Sequence, residues 1–225
     1  LWTGKHSAGM LMGHTVSEHA VPYFSKSGKR LFLGTAPLPV AKDTALVDID
    51  LVKLDVWHYK DDYLQTQQLY NLQNELKRSH LAVYDFGTDT LLQLGNKALL
   101  NVTVAPGGDG RWVVATTDTG RRASIQWSGS SIGRDVYAID LTTGNRQLIR
   151  RNHKGNVTLS PSGERALLYD AVARNYLLWE GKSLRNLTAN LTAKFWDEEN
   201  DVPDDPSSYG MMGWHNKDSF VYVYD

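Results

Sequence analysis

Four stretches of this chain are variants of one another: YFSKSGKRLFLGT (23–35), VAPGGDGRWVVATT (104–117), TLSPSGERALLYD (158–170) and MGWHNKDSFVYVYD (212–225). Each is a short polar turn, then Gly or Asp, then a run rich in aliphatic and aromatic residues. Aligned on Gly28, Gly110, Gly163 and Asp218, they recur at intervals of 82, 53 and 55 residues. A second pattern lies between them, in HLAVYDFGTDTLLQLG (80–95), DVYAIDLTTGNRQLIRR (135–151) and NYLLWEGKSLRNLT (175–188). Each of these reads strand, turn, strand, with hairpin chemistry at Gly87-Thr88-Asp89, Thr142-Thr143-Gly144-Asn145 and Glu180-Gly181-Lys182.

A unit of about four short strands recurring every ~40–55 residues cannot cover both of its faces alone, so its copies must stack. That describes a β-propeller blade. The expected fold is all-β: a propeller fragment of about four four-stranded blades, forming a single partial domain over residues 1–225, with the first and last blades incomplete. The first interval is about 28 residues longer than its neighbours, and the excess lies between Ala36 and Ser79. Within it, YLQTQQLYNLQNELKRSH (63–80) places Leu64, Leu69, Leu72 and Leu76 near helical spacing without Gly or Pro, which predicts an inserted helix near 63–79. LVDIDLVKLDVWHY (46–59) alternates like a strand. Asp48 and Asp50 would share one of its faces, better read as solvent-facing carboxylates than as a metal pair.

Charge and cysteine content narrow the function classes. The net charge is −1 and the basic pairs are scattered, so no field favours nucleic acid. There is no cysteine, which excludes disulfides, thiolate metal sites and cysteine nucleophiles. No apolar run approaches the ~20 residues of a membrane span. The chain begins with Leu1 and carries no signal peptide, so it reads as an excised or processed piece. The Asn-x-Ser/Thr triplets at Asn101, Asn156, Asn186 and Asn190 would be glycosylated only in a eukaryotic secreted protein, and chance explains them in so Asn- and Thr-rich a chain.

LDVWHYKDDYLQTQQL (54–69), GRDVYAIDLTTGNRQLI (133–149) and FWDEENDVPDDPSSYGMMGW (195–214) resemble the N-terminal propeller of bacterial prolyl oligopeptidase-family serine peptidases, closest to the large secreted members typical of Bacteroidetes. Ser-Pro-Ser-Gly-Glu-Arg at 160–165 also resembles the Ser-Pro-Asp-Gly-Lys turn of TolB-like and peptidase propellers. The resemblance implies a non-catalytic propeller that gates peptide access to a Ser-Asp-His α/β-hydrolase domain downstream, in a periplasmic or secreted parent. It implies no cofactor, and a peptide substrate reached through that second domain. The alternatives are a TolB-like protein-binding propeller without enzymatic activity and a sugar-active propeller lined by aromatics. Packing between blades accounts better for the seven tryptophans and eleven tyrosines. An incomplete propeller leaves sheet edges uncovered, so self-association is expected.

Gly129-Ser130-Ser131-Ile132-Gly133 spells the Gly-x-Ser-x-Gly of a nucleophile elbow. An elbow needs a strand before the serine and a helix after it. RDVYAIDLTTG after Ser131 alternates as a strand, so no catalytic residue is assigned here. DEENDVPDD (197–205) holds six carboxylates in nine residues. It reads first as a solvated acidic loop, and it lacks the spaced ligands of a calcium loop. Dipeptidyl aminopeptidases of the resembled family hold the substrate's free ammonium with a paired glutamate. The resemblance therefore implies substrate binding by Glu198 and Glu199, although FWDEEN departs from the helical segment that carries that pair. His6, His14 and His19 have no established zinc spacing, and no metal site is assigned.

Overall fold

The computed structural model describes residues 8–40, 54–215 and 217–225. Asp48, Asp50, His6 and the first part of the strand expected over 46–59 lie outside them. The described residues form a β-propeller fragment of four antiparallel sheets. The first blade contains β1 (His14–Val16), β2 (Tyr23–Phe24), β3 (Arg30–Pro37), β4 (His80–Asp85) and β5 (Thr90–Gln93). The second contains β6 (Asn101–Val104), β7 (Trp112–Thr117), β8 (Arg134–Asp140) and β9 (Arg146–His153). The third contains β10 (Val157–Leu159), β11 (Ala166–Asp170), β12 (Asn175–Trp179) and β13 (Leu184–Asn186), and the fourth only β14 (Met211–His215) and β15 (Phe220–Val223).

The first blade is complete, contrary to expectation. β1 and β2 both pair with β3, at Thr35–Pro37 and at Leu31–Phe32, and so act as two halves of one first strand. Pro22 in the gap has no N–H to give to a ladder. The inserted helix exists as α1 (Gln65–Leu76). Residues 54–58 are not in a ladder, because alternation alone supplies no partner strand. A second helix, α2 (Arg122–Ser128), stands just before the Gly-x-Ser-x-Gly stretch, where sequence periodicity gave no helix.

The blades are held face to face by strands buried on both sides. In β7, Val113 and Ala115 pack with Phe32, Val83 and Ile139, while Val114 points the other way, with Trp112 beside it, toward Leu159, Leu168 and Trp179. In β11, Ala166 and Leu168 join that second cluster, and Leu167 and Tyr169 face Trp214 and Val221 of the last blade. A strand's side chains alternate faces, so a strand between two neighbours is buried on both of its faces. β11 is buried along its whole length.

The turns join the blades as well. Gly28, Gly108 and Gly163 take φ of 73°, 72° and 71°, each donating its N–H to the carbonyl three residues back. The true repeat glycine of the second blade is therefore Gly108, not Gly110, and the intervals become 80, 55 and 55 residues. Gly110 has another purpose: it lies against the next turn, where a Cβ would sit 2.6 Å from the Cα of Gly163. Trp112 N–H donates to Gly163 O at 3.0 Å across the same joint. Gly110→Ala is expected to cost about 1–3 kcal/mol through backbone displacement, measurable by urea denaturation.

The other two joints are polar clasps. Asp109 accepts from Ser27 Oγ at 2.6 Å and Ser27 N at 2.9 Å, and Arg30 donates to Gly110 O at 2.6 Å. Two blades on, Asp218 accepts from the Ser162 hydroxyl, and Arg165 donates to Asp218 O. The same arginines brace their own blades, Arg30 on Asp85 at 3.3 Å and Arg165 on Glu180 at 3.3 Å, and Arg111 repeats the pair on Asp140 at 2.8 Å.

Candidate functional site

Strands that alternate in direction send their connections to opposite ends. The turns just described close one end of the fragment. The β3–β4, β5–β6, β7–β8, β9–β10 and β13–β14 connections leave at the other, and the longest of them are 38–79, 118–133 and 187–210. The inserted helix, α2, Ser131 and the acidic loop therefore share one end of the sheets. Side-chain contacts tie these loops together.

Arg122 is the hub on the side of the first two blades. Its side chain is only 10% exposed; it donates to Asp118 at 2.6 Å, lies 3.6 Å from Asp62 and covers the Tyr63 ring at 4.9 Å. Asp62 also accepts from the N–H groups of Gly120 and Arg122, both at 2.9 Å, at the start of α2. Free N–H groups at a helix start carry partial positive charge, so a carboxylate supplied by the insertion locks the two loops together. Gln126 on α2 donates to Gln67 on α1 at 2.8 Å.

A cavity of about 530 Å³ opens beneath the insertion. Pro37, Leu72 and Leu100 form its apolar wall. Its polar lining includes Asp61, Asn71, Lys97 and His80. Glu75 is held by Arg78, whose hydrogen bond keeps the carboxyl below its ordinary range. His80 is 3% exposed, and its Nδ1 has no hydrogen-bond partner among the described residues. Burial, with His14, Arg78 and Lys97 nearby, pushes its pKa down, so the imidazole is neutral at pH 7.

Ser131 sits between a helix and a strand, the reverse of a nucleophile elbow. Its hydroxyl and its N–H both donate to Asp204 Oδ2, the latter at 2.8 Å. Lys154 holds the next carboxylate, Asp205, at 2.7 Å. The acidic loop is thus pinned by its second half. Ser131's hydroxyl and N–H hold the Asp204 carboxyl below its ordinary pKa. Such a carboxylate stabilises the loop above its unfolded pKa, and the effect is lost as pH falls through the depressed folded value. Ser131→Ala is expected to raise the Asp204 pKa toward the ordinary value, read by NMR titration, and to cost at most about 1 kcal/mol.

Glu198 and Glu199 are both exposed, on the first half of that loop and not on a helix. Glu198 pairs with Lys194, and its N–H donates to Tyr209 Oη at 3.1 Å. Glu199 N–H donates to Asp197 at 3.0 Å, and its own carboxylate has no partner among the described residues. Among the described residues no group of three His, Asp or Glu could hold a metal ion, and no helix is long and apolar enough to cross a membrane. The sequence reading missed Arg122 and His80. Arg121-Arg122 was one of several basic pairs, and nothing in the sequence brings Asp62 to it.

No protein-family model matches the sequence, and a search of curated proteins finds no match. Among solved structures, TolB from Acinetobacter baumannii is 14% identical, with a TM-score of 0.32 over 71% of this chain and 28% of that one. A structure from a study of two prolyl endopeptidases is 10% identical, with a TM-score of 0.36 over 77% of this chain and 22% of that one. A putative TolB from Agrobacterium tumefaciens is 11% identical, with a TM-score of 0.32 over 74% of this chain and 48% of that one. The chain spans less than half the length of each of these structures.

Proposed function

We propose that this propeller is the non-catalytic gating region of a periplasmic or secreted serine peptidase of the prolyl oligopeptidase type. The observation that supports this reading is the contrast between the two ends of the sheets. One end is closed by short clasped turns. The other gathers the long loops, a peptide-sized cavity and exposed aromatic side chains, Trp127 at 81% and Tyr70 at 86% among them. A face of that kind suits a neighbouring catalytic domain and the peptides passing between the two. On this reading Glu198 and Glu199 meet a substrate ammonium, Glu199 being the freer of the two because Lys194 already neutralises Glu198.

The test is to express the full reading frame that contains this chain and treat it with a fluorophosphonate, which labels activated serines. Labelling of a serine outside residues 1–225, with Ser131 unlabelled, is the expected result. A frame with no labelled serine would overturn the peptidase reading and favour a TolB-like protein-binding propeller.

The uncovered blade faces bear on self-association. Phe24 and Phe86 stack at 6.1 Å on the first blade and are exposed, and Phe220, Tyr222 and Tyr224 are exposed on the last. The isolated chain is expected to associate with a second copy through these faces. Sedimentation of a compact monomer at high concentration would refute this.

A further inference from the structure

The cavity beneath α1 holds three cations and three carboxylates in its lining, and most of them neutralise one another. Arg122 is taken by Asp62 and Asp118, and Arg78 by Glu75. Two charges are left over. Lys97 makes no hydrogen bond or ion pair among the described residues, and Asp61 accepts only a long contact from Gln68, at 3.4 Å. Asn71 makes no side-chain hydrogen bond among the described residues.

From these leftovers we infer that the cavity is a binding site for a short zwitterionic peptide of two or three residues. Lys97 receives its carboxylate, Asp61 its ammonium, and Pro37, Leu72 and Leu100 its apolar side chain, while Asn71 supplies hydrogen bonds to its backbone. The volume of about 530 Å³ lies within the range of small-molecule sites. One unpaired charge of each sign does not suit a simple anion or cation, because either would face an uncompensated like charge. A zwitterion satisfies both. The inference rests on the peptide-facing reading of this end of the sheets and adds the class of peptide.

The test is calorimetric titration of the chain with the dipeptide Ala-Leu, its N-acetyl form and its C-terminal amide. The unmodified dipeptide is expected to bind, and each capped form to bind roughly tenfold more weakly through loss of one charge-assisted contact. Lys97→Gln is expected to abolish the difference between acid and amide and to leave the effect of acetylation intact. Asp61→Asn should do the converse. Lys97 is exposed, so an unchanged melting temperature separates lost binding from lost fold. Equal binding of capped and free forms, or no binding of any form, would overturn the inference. Neither outcome touches the gating reading, which stands or falls on the labelled serine of the full reading frame.

Discussion

Trp179→Ala is expected to lower the unfolding free energy by about 3–5 kcal/mol. Trp179 is 1% exposed and meets Trp112 edge-on at 5.1 Å, at the joint between the second and third blades. Its neighbours Val114, Val136, Ala138 and Leu168 come from strands of both blades. Those strands are fixed by their own ladders, so the hole left by the indole cannot collapse. Domains of this size are stable by only about 5–15 kcal/mol, so the variant should approach the edge of folding. Trp179→Phe is the milder change, because the indole Nε1 has no hydrogen-bond partner among the described residues to lose. Urea denaturation of the two variants beside the parent chain measures both. A loss below about 1 kcal/mol for the alanine variant would mean that the joint is not the packed contact described above.

Arg122→Ala has the second largest expected effect, and it acts on the insertion. It removes the guanidinium from Asp62 and Asp118, leaving Asp62 only its two backbone N–H donors and both carboxylates, each about a quarter exposed, facing a space the guanidinium filled. Breaking a buried pair by removing one partner costs about 3–5 kcal/mol. Here partial exposure places the expectation at the lower limit, about 3 kcal/mol. The loss should be local. α1 has no buried residue of its own and keeps only the Asp62 backbone bonds and the Gln67–Gln126 bond when the side chain is lost, whereas the blade cores do not touch Arg122. Limited proteolysis should cut within 61–78 in the variant and not in the parent, with the bulk of the sheet transition little changed. Arg122→Lys should not rescue the anchor, because an ammonium cannot serve two carboxylates and the Tyr63 ring with one planar group.

The blades were legible because their signals are local. Turn glycines, hairpin residues and apolar runs such as ALLYD report backbone conformation and burial within a few residues of themselves. α1 was legible for the same reason, from leucines at helical spacing across twelve residues. α2 was not: seven residues including Ile125 and Trp127 are too few for a period to show. The choice of Gly110 over Gly108 failed differently. Both glycines stand in one turn, and only the positive φ of Gly108 and the contact of Gly110 with the next blade tell them apart. The site was the least legible part, because its pairs join residues far apart in the chain. Asp62 meets Arg122 and Ser131 meets Asp204 across 60 and 73 residues, and no local pattern encodes either pair.

The clasps at the closed end also govern where this molecule can change. Ser27 and Arg30, and likewise Ser162 and Arg165, reach the next blade from turns with the same Ser-Gly-x-Arg spacing. An added residue there would swing both side chains out of reach and unfasten two blades together. At the opposite end the connections already range from the three residues after His153 to the forty-two after Pro37. Length therefore varies by about one residue among the clasped turns on one side of the molecule and by tens of residues on the other. Inherited insertions and deletions should accumulate on the side of the cavity, so that new specificities arise there while the fastened rim stays constant.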